Sequence, residues 1–206
     1  MVDDVSLNTL RRFTPILAAG EEAALLAACD QGLPVCIAAN TLRCTPTALH
    51  ERLLAQGVRL DPLSWHPAAF RWPEDAPTPG KFLEFVAGLY WVQEEAAMLP
   101  VRLLDPRPGE RILDLCAAPG NKTAQIALAL EGRGVLVAND RVPSRMRSLG
   151  ATLDRLGPLV VSRTMLDGRR FPTQAEPFDR VLVDAPCTCL GTSRKSRRIL
   201  RRWTQR

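Results

Sequence analysis

From Glu110 to Thr123 the chain reads Glu-Arg-Ile-Leu-Asp-Leu-Cys-Ala-Ala-Pro-Gly-Asn-Lys-Thr, and this stretch constrains the fold more than any other. Residues 112–116 are apolar apart from Asp114, the pattern of a short buried strand. Ala117, Ala118, Pro119 and Gly120 are too small or too constrained to extend a sheet. Residues 123–130 then carry apolar side chains at helical spacing. The prediction is a strand, a tight turn and a helix, the first half of a βαβ unit. Such a turn offers backbone N–H groups and a helix N-terminus to an anionic or polar ligand group. An ordinary strand-to-helix turn is the alternative, and the coincidence of acid, small-residue turn and lysine speaks against it.

Two known nucleotide loops do not fit. A P-loop needs Gly next to Lys, but Asn121 separates Gly120 from Lys122, and Leu115 stands where the first Gly belongs. A dinucleotide loop needs three glycines, and only Gly120 is present. A nucleoside-binding α/β fold of another kind remains.

The following segments repeat the βα pattern, as a parallel sheet requires. Strands are expected at 111–116, 135–139, near 159–162 and at 179–184, with a helix at 144–156 stopped by Gly157. Asp140 ends the second strand, twenty residues after Gly120, where an acid accepts hydrogen bonds from ribose hydroxyls. Val181, Leu182 and Val183 in succession predict a fourth strand buried on both faces. Asp184 and Cys187 follow it, at the edge of the sheet where such folds bind ligands.

Upstream, residues 8–30 read as one or two helices broken at Gly20, with no chemistry evident. A strand over 34–43 precedes a helix over 45–56, with Thr45 as cap, Pro46 at its first position and Gly57 as its stop. Residues 58–72 are extended, and 72–80, rich in Pro and acid, read as a linker. Residues 88–100 begin as a strand or turn and become a helix; Tyr90 and Trp91 are candidates either to stack a base or to pack against the sheet. His50 and His66 read as packed or surface residues rather than catalytic bases.

The net charge of +5 is uneven: residues 192–206 hold seven basic residues and no acid, and without them the balance is 5 − 7 = −2. That fits a polyanionic partner. The six cysteines show no extracellular disulfide spacing and no paired C-x-x-C, so neither a disulfide framework nor a metal site is expected. No apolar run is long enough to span a bilayer, and the chain starts acidic, without a signal-peptide pattern. A protein of the cytoplasm, without membrane or metal, is expected.

Asp114-Leu115-Cys116-Ala117-Ala118-Pro119-Gly120-Asn121-Lys122-Thr123 resembles the S-adenosylmethionine loop of the Nop/Sun family of RNA cytosine-5 methyltransferases, which usually has Gly where Asn121 stands. Asn40-Thr41-Leu42-Arg43 and Asp184-Ala185-Pro186-Cys187 match further segments of that family. Ala38 stands where the family carries an Arg, and Thr188-Cys189 replaces the commoner Ser-Gly.

The resemblance implies a Rossmann-like class I methyltransferase sheet, an α/β fold here without its C-terminal strands. A small α+β RNA-facing domain over residues 1–75 precedes the methyltransferase domain over 76–206. It implies S-adenosyl-L-methionine as cofactor, held by Cys116, Ala117, Ala118, Pro119, Gly120, Asn121, Lys122, Asp140, Asp167 and Asp184. For Asp167, before Gly168, an ordinary turn role is the alternative. Ribosomal or transfer RNA is the implied substrate. By resemblance Asp184 hydrogen-bonds the cytosine edge, Cys187 assists release, and Lys122 lies near cofactor and substrate.

Carbon 5 of cytosine is a poor nucleophile until a thiolate adds to carbon 6. In the family that thiolate belongs to a second cysteine, in a Thr-Cys-Ser-like motif that these 206 residues lack. The expectation is therefore a fragment of a longer enzyme or a truncated relative, giving no turnover alone, and a monomer when the full sheet is present. A noncatalytic module that binds S-adenosylmethionine or RNA is the alternative.

Overall fold

The computed structural model describes residues 11–18, 20–157, 161–172, 176–187 and 194. The chain divides into two compact units, residues 34–185 and residues 1–33 with 186–206. In the smaller unit a 3-10 turn, Arg11–Ile16, precedes helix α1, Glu21–Asp30. Gly20 enters α1 at a φ of 88°, and Glu21 and Glu22 complement the positive end of the helix. The Arg194 guanidinium donates to the carbonyls of Gln31 and Gly32 at 3.1 and 3.0 Å. Apart from Arg194, the basic stretch 192–206 lies outside the described residues.

The larger unit begins with an antiparallel sheet. Its elements are β1 (Cys36–Ala39), α2 (Pro46–Leu54), β2 (Asp61–Pro62), β3 (Ala69–Arg71), α3 (Leu83–Val86) and β4 (Tyr90–Val92), with strand order β2-β3-β1-β4. β1 lies between β3 and β4 and is buried along its whole length, which small and apolar residues allow. Thr45 caps α2 by accepting from the Ala48 N–H at 3.1 Å, Pro46 sits in the first turn, and Leu49 and Leu53, one turn apart, face the core.

The expected linker is instead folded onto this sheet. Trp72 is buried, donates through Nε1 to the Pro77 carbonyl at 3.0 Å and meets Phe82 edge-on at 5.2 Å. Tyr90 and Trp91 are buried as well, which answers their two readings in favour of packing. The Tyr90 hydroxyl donates to the Pro79 carbonyl at 2.6 Å, and Trp91 Nε1 to Gln93 Oε1 at 2.8 Å. His50 packs edge-on against Phe70, and burial lowers the pKa of His66.

Helix α4 (Glu95–Leu104) leads to β5 (Arg111–Asp114), α5 (Asn121–Ala129), β6 (Val135–Asn139), α6 (Pro143–Leu156), β7 (Val161–Thr164) and β8 (Arg180–Leu182). These strands form a wholly parallel sheet in the order β7-β6-β5-β8, a Rossmann-like α/β arrangement. The chain steps from β5 outward to β7, then returns to the other flank of β5 for β8. The C-terminal ends of β5 and β8 therefore border a topological switch point, where open α/β sheets bind ligands.

Two strands differ from expectation. The third lies at Val161–Thr164, displaced toward its C-terminal side, with 158–160 outside the described residues. β8 is not buried on both faces: Leu182 is buried, but Val181 and Val183 are 46% and 56% exposed. Among the described residues β8 pairs only with β5, at one end of the order β7-β6-β5-β8.

The two sheets are joined within this unit. Asn40 Nδ2 donates to the carbonyls of Gly88 and Leu156 at 2.9 and 2.7 Å, and Arg155 Nη1 to those of Phe85 and Tyr90 at 2.8 and 3.0 Å. Ala38 and Trp91 of the antiparallel sheet share one core cluster with Ala117, Ala118, Ala124 and Leu149.

Candidate functional site

The site forms where β5 gives way to α5. β5 stops at Asp114, so Leu115 and Cys116 belong to the turn rather than the strand. The Leu115 N–H donates to the Leu182 carbonyl at 2.9 Å and the Ala117 N–H to the Asn139 carbonyl at 2.8 Å. These bonds pin the loop to the ends of β8 and β6. Ala117 and Ala118 are buried, Cys116 is half-buried with its thiol pKa raised by burial, and the Ala118–Pro119 peptide is cis. Gly120 has a φ of 110°, and a Cβ there would lie 2.9 Å from Leu149 Cδ1 of α6. Both the backbone angle and the space select glycine.

Helix α5 starts at Asn121, two residues before the expected start, and presents its first turn to the site. Asn121 Nδ2 donates to the Val92 carbonyl at 3.0 Å, so this side chain ties the loop to β4. Lys122 Nζ donates to Asp184 Oδ2 at 2.5 Å, which joins α5 to the chain just past β8. Below them lies Asp114, buried, accepting from the Thr123 hydroxyl at 2.7 Å. Burial pushes the Asp114 carboxyl up to about 6, against the opposing pull of that hydroxyl and of Lys122.

Asp140 is the second focus. It is 3% exposed; Oδ1 accepts from the Val142 N–H at 3.0 Å, whereas Oδ2 has no hydrogen-bond partner. Arg145 Nη1 lies 3.4 Å from Oδ2, an ion pair without a hydrogen bond, while Arg145 Nη2 donates to the Ala118 carbonyl at 2.6 Å. A buried carboxylate oxygen without a donor is costly. Ribose hydroxyls are donors of the required kind, and Arg145 ties this carboxylate to the small-residue loop. The residues present therefore fit an adenosyl cofactor.

Asp167 takes the arrangement of a turn. Its oxygens accept from the Arg169 N–H at 3.1 Å, from Nε at 3.0 Å and from Nη2 at 2.6 Å, and Arg141 lies 3.7 Å away. The Arg169 guanidinium holds this carboxyl well below the usual range. Cys187 is exposed and belongs to the smaller unit.

The structure adds four side chains to the site, Thr123, Asn139, Arg145 and Arg169. Arg145 stands on the first turn of α6, shortly after Asp140, a spacing visible in the sequence. Asn139 at a strand end gives no such signal.

A family model described as 16S rRNA methyltransferase RsmB/F matches residues 101–206, just over half of the chain, and one for the N-terminal domain of 16S rRNA methyltransferase RsmF matches 8–95. The Ribosomal RNA small subunit methyltransferase F of Vibrio campbellii is 39% identical over 186 residues, covering 87% of this chain and 39% of its own length. A mouse (Mus musculus) 28S rRNA (cytosine-C(5))-methyltransferase is 40% identical over 163 residues, 79% of this chain and 21% of its own. The chain thus spans well under half the length of these relatives. Among solved structures, a methyltransferase homolog protein from Pyrococcus horikoshii superposes with a TM-score of 0.79 at 30% identity, over 90% of this chain and 64% of that one.

Proposed function

The chain belongs to the family of the 16S rRNA methyltransferase RsmB/F, and from that membership we propose that it forms the cofactor-binding part of an RNA cytosine-5 methyltransferase. The observation that carries the reading is the buried Asp140 oxygen without a donor, beside the loop 116–122. S-adenosyl-L-methionine, when bound, supplies an electrophilic methyl group.

The roles of this chain's residues follow from their chemistry. The backbone of Cys116, Ala117, Ala118, Pro119, Gly120 and Asn121 lines the cofactor, which the small side chains and the positive φ of Gly120 favour. Asp140 accepts from the ribose. Asp167 takes the adenine amino group, for which Arg169 must yield one carboxylate oxygen. Lys122 orients Asp184 through their ion pair, so that Asp184 accepts from the exocyclic amine of cytosine. Cys187 assists release of the methylated base. Ribosomal RNA is the substrate class favoured by the relatives' own activities, transfer RNA the alternative. The basic stretch 192–206 suits either through phosphate contacts. The cytoplasm is the proposed setting.

Calorimetry with S-adenosylhomocysteine tests the site. Binding by the wild type is expected, weakened in Asp140→Ala by roughly 1–3 kcal/mol through lost hydrogen bonds to a buried carboxylate. Equal affinity in both proteins removes Asp140 from the site, and a folded wild type that binds nothing overturns the cofactor reading. Filter binding to ribosomal and transfer RNA across a salt series checks the substrate class, with tighter ribosomal binding expected.

A further inference from the structure

At the end of β6, Asn139 is 1% exposed and all four hydrogen-bonding positions of its carboxamide are used. Nδ2 donates to the carbonyls of Leu115 and Leu166, both at 3.0 Å. Oδ1 accepts from the Thr164 hydroxyl and from the Leu166 N–H, both at 2.9 Å. The orientation of the amide is unambiguous. Turned over, it would set oxygen against two carbonyls and nitrogen against an N–H donor.

The partners lie in pieces of chain far apart in sequence, and each adjoins a proposed binding segment. Leu115 opens the loop 115–120. Leu166 precedes Asp167. Asn139 itself precedes Asp140, whose N–H donates to the Thr164 carbonyl at 3.3 Å. The Asn139 main-chain carbonyl also holds Ala117 in the same loop. One buried residue thus sets the spacing between the loop, the ribose carboxylate and the adenine segment. None of its side-chain atoms is left over to meet a ligand.

We infer that Asn139 is a positioning residue of the cofactor site, fixing the three binding segments in one frame before the ligand arrives. The inference rests on the cofactor reading above. Contacts that are set in advance cost no ordering on binding, so loosening the frame weakens affinity even where every contact residue is intact.

The test separates positioning from stability. S-adenosylhomocysteine affinity is measured by calorimetry on the full 206-residue chain, well below the melting temperature of each variant, with melting followed in parallel. Asn139→Ala is expected to bind about tenfold more weakly, as for loss of a hydrogen-bonded anchor. Thr164→Val removes one donor to Oδ1 at little cost in volume and is expected to weaken binding about threefold, which keeps the test decisive should Asn139→Ala fail to fold. Leu53→Ala, in the core under the antiparallel sheet, should melt earlier with its affinity unchanged. Folded Asn139→Ala or Thr164→Val with wild-type affinity overturns the inference alone. Absence of binding by the folded wild type overturns the cofactor reading and this inference with it.

Discussion

A carboxyl group sealed beneath a loop, as Asp114 is, ionises only by giving up its solvation, and the single hydroxyl of Thr123 does not replace that water. Its pKa therefore stands at about 6, above the 3.8 of an ordinary aspartate. Because the folded-state value is raised, the stabilisation is fully present below the unfolded pKa and is lost as pH rises from about 4 to about 6. A shift of this size corresponds to on the order of 3 kcal/mol. Asp114→Asn keeps an acceptor for Thr123 without the charge. Thermal melts should show the two proteins alike near pH 4 and the variant more stable near pH 7. Melting curves that stay parallel across that range would dismiss Asp114 as the titrating group. The residue itself was legible as the one acid in an apolar strand. Thr123 as its partner was not, because a turn whose path is unknown decides which α5 side chain faces β5. Asn139 was hidden for the same reason: its value lies in partners on two other segments.

Elements with local signals are legible in the sequence. The cap and proline that open α2, the glycines that precede α1 and follow α6, and the strand–turn–helix at β5 and α5 all depend on near neighbours in sequence. The stretch 72–80 misled because its prolines and acids suggest solvent, whereas the buried ring of Trp72 organises it from within. α6 also does more than its amphipathic pattern announces. Near its start Arg145 grips the Ala118 carbonyl; near its end Arg155 bonds two carbonyls of the antiparallel half and lies 3.9 Å above the Phe85 ring. The helix thereby braces the loop 115–120 against β4. Arg155→Ala would take the arginine donor from the Tyr90 carbonyl and one donor from the Phe85 carbonyl, which keeps the Gly88 N–H, and would remove the stacked cation, a loss of about 1–3 kcal/mol. Urea unfolding should register it as a lower midpoint with an unchanged slope. A midpoint equal to that of the wild type would show the brace to be idle.

On the scale of the whole molecule, the parallel class of the second sheet followed from the repeated βα units, but the position of each strand within it did not. Three successive apolar residues at 181–183 suggested a strand covered on both faces. In the structure β8 flanks β5 with its other side unpaired among the described residues, and alternate side chains, Val181 and Val183, face solvent. Run composition reports average environment, whereas the order β7-β6-β5-β8 is set by crossovers that no local pattern encodes. An edge with unpaired backbone groups and exposed valines is a template for pairing with another strand. The 206-residue chain is therefore expected to self-associate through β8, and lysines at Val181 and Val183 should oppose that by placing like charges on any pair of matching edges. Leu182, which faces the core with Val101 and Ile112, is left in place so that the fold persists. Sedimentation velocity over a concentration series measures the effect. The wild type should show mass rising with concentration and the doubly substituted chain should not, with circular dichroism alike for both. A wild type that stays monomeric throughout the series would place the protection of this edge elsewhere in the chain.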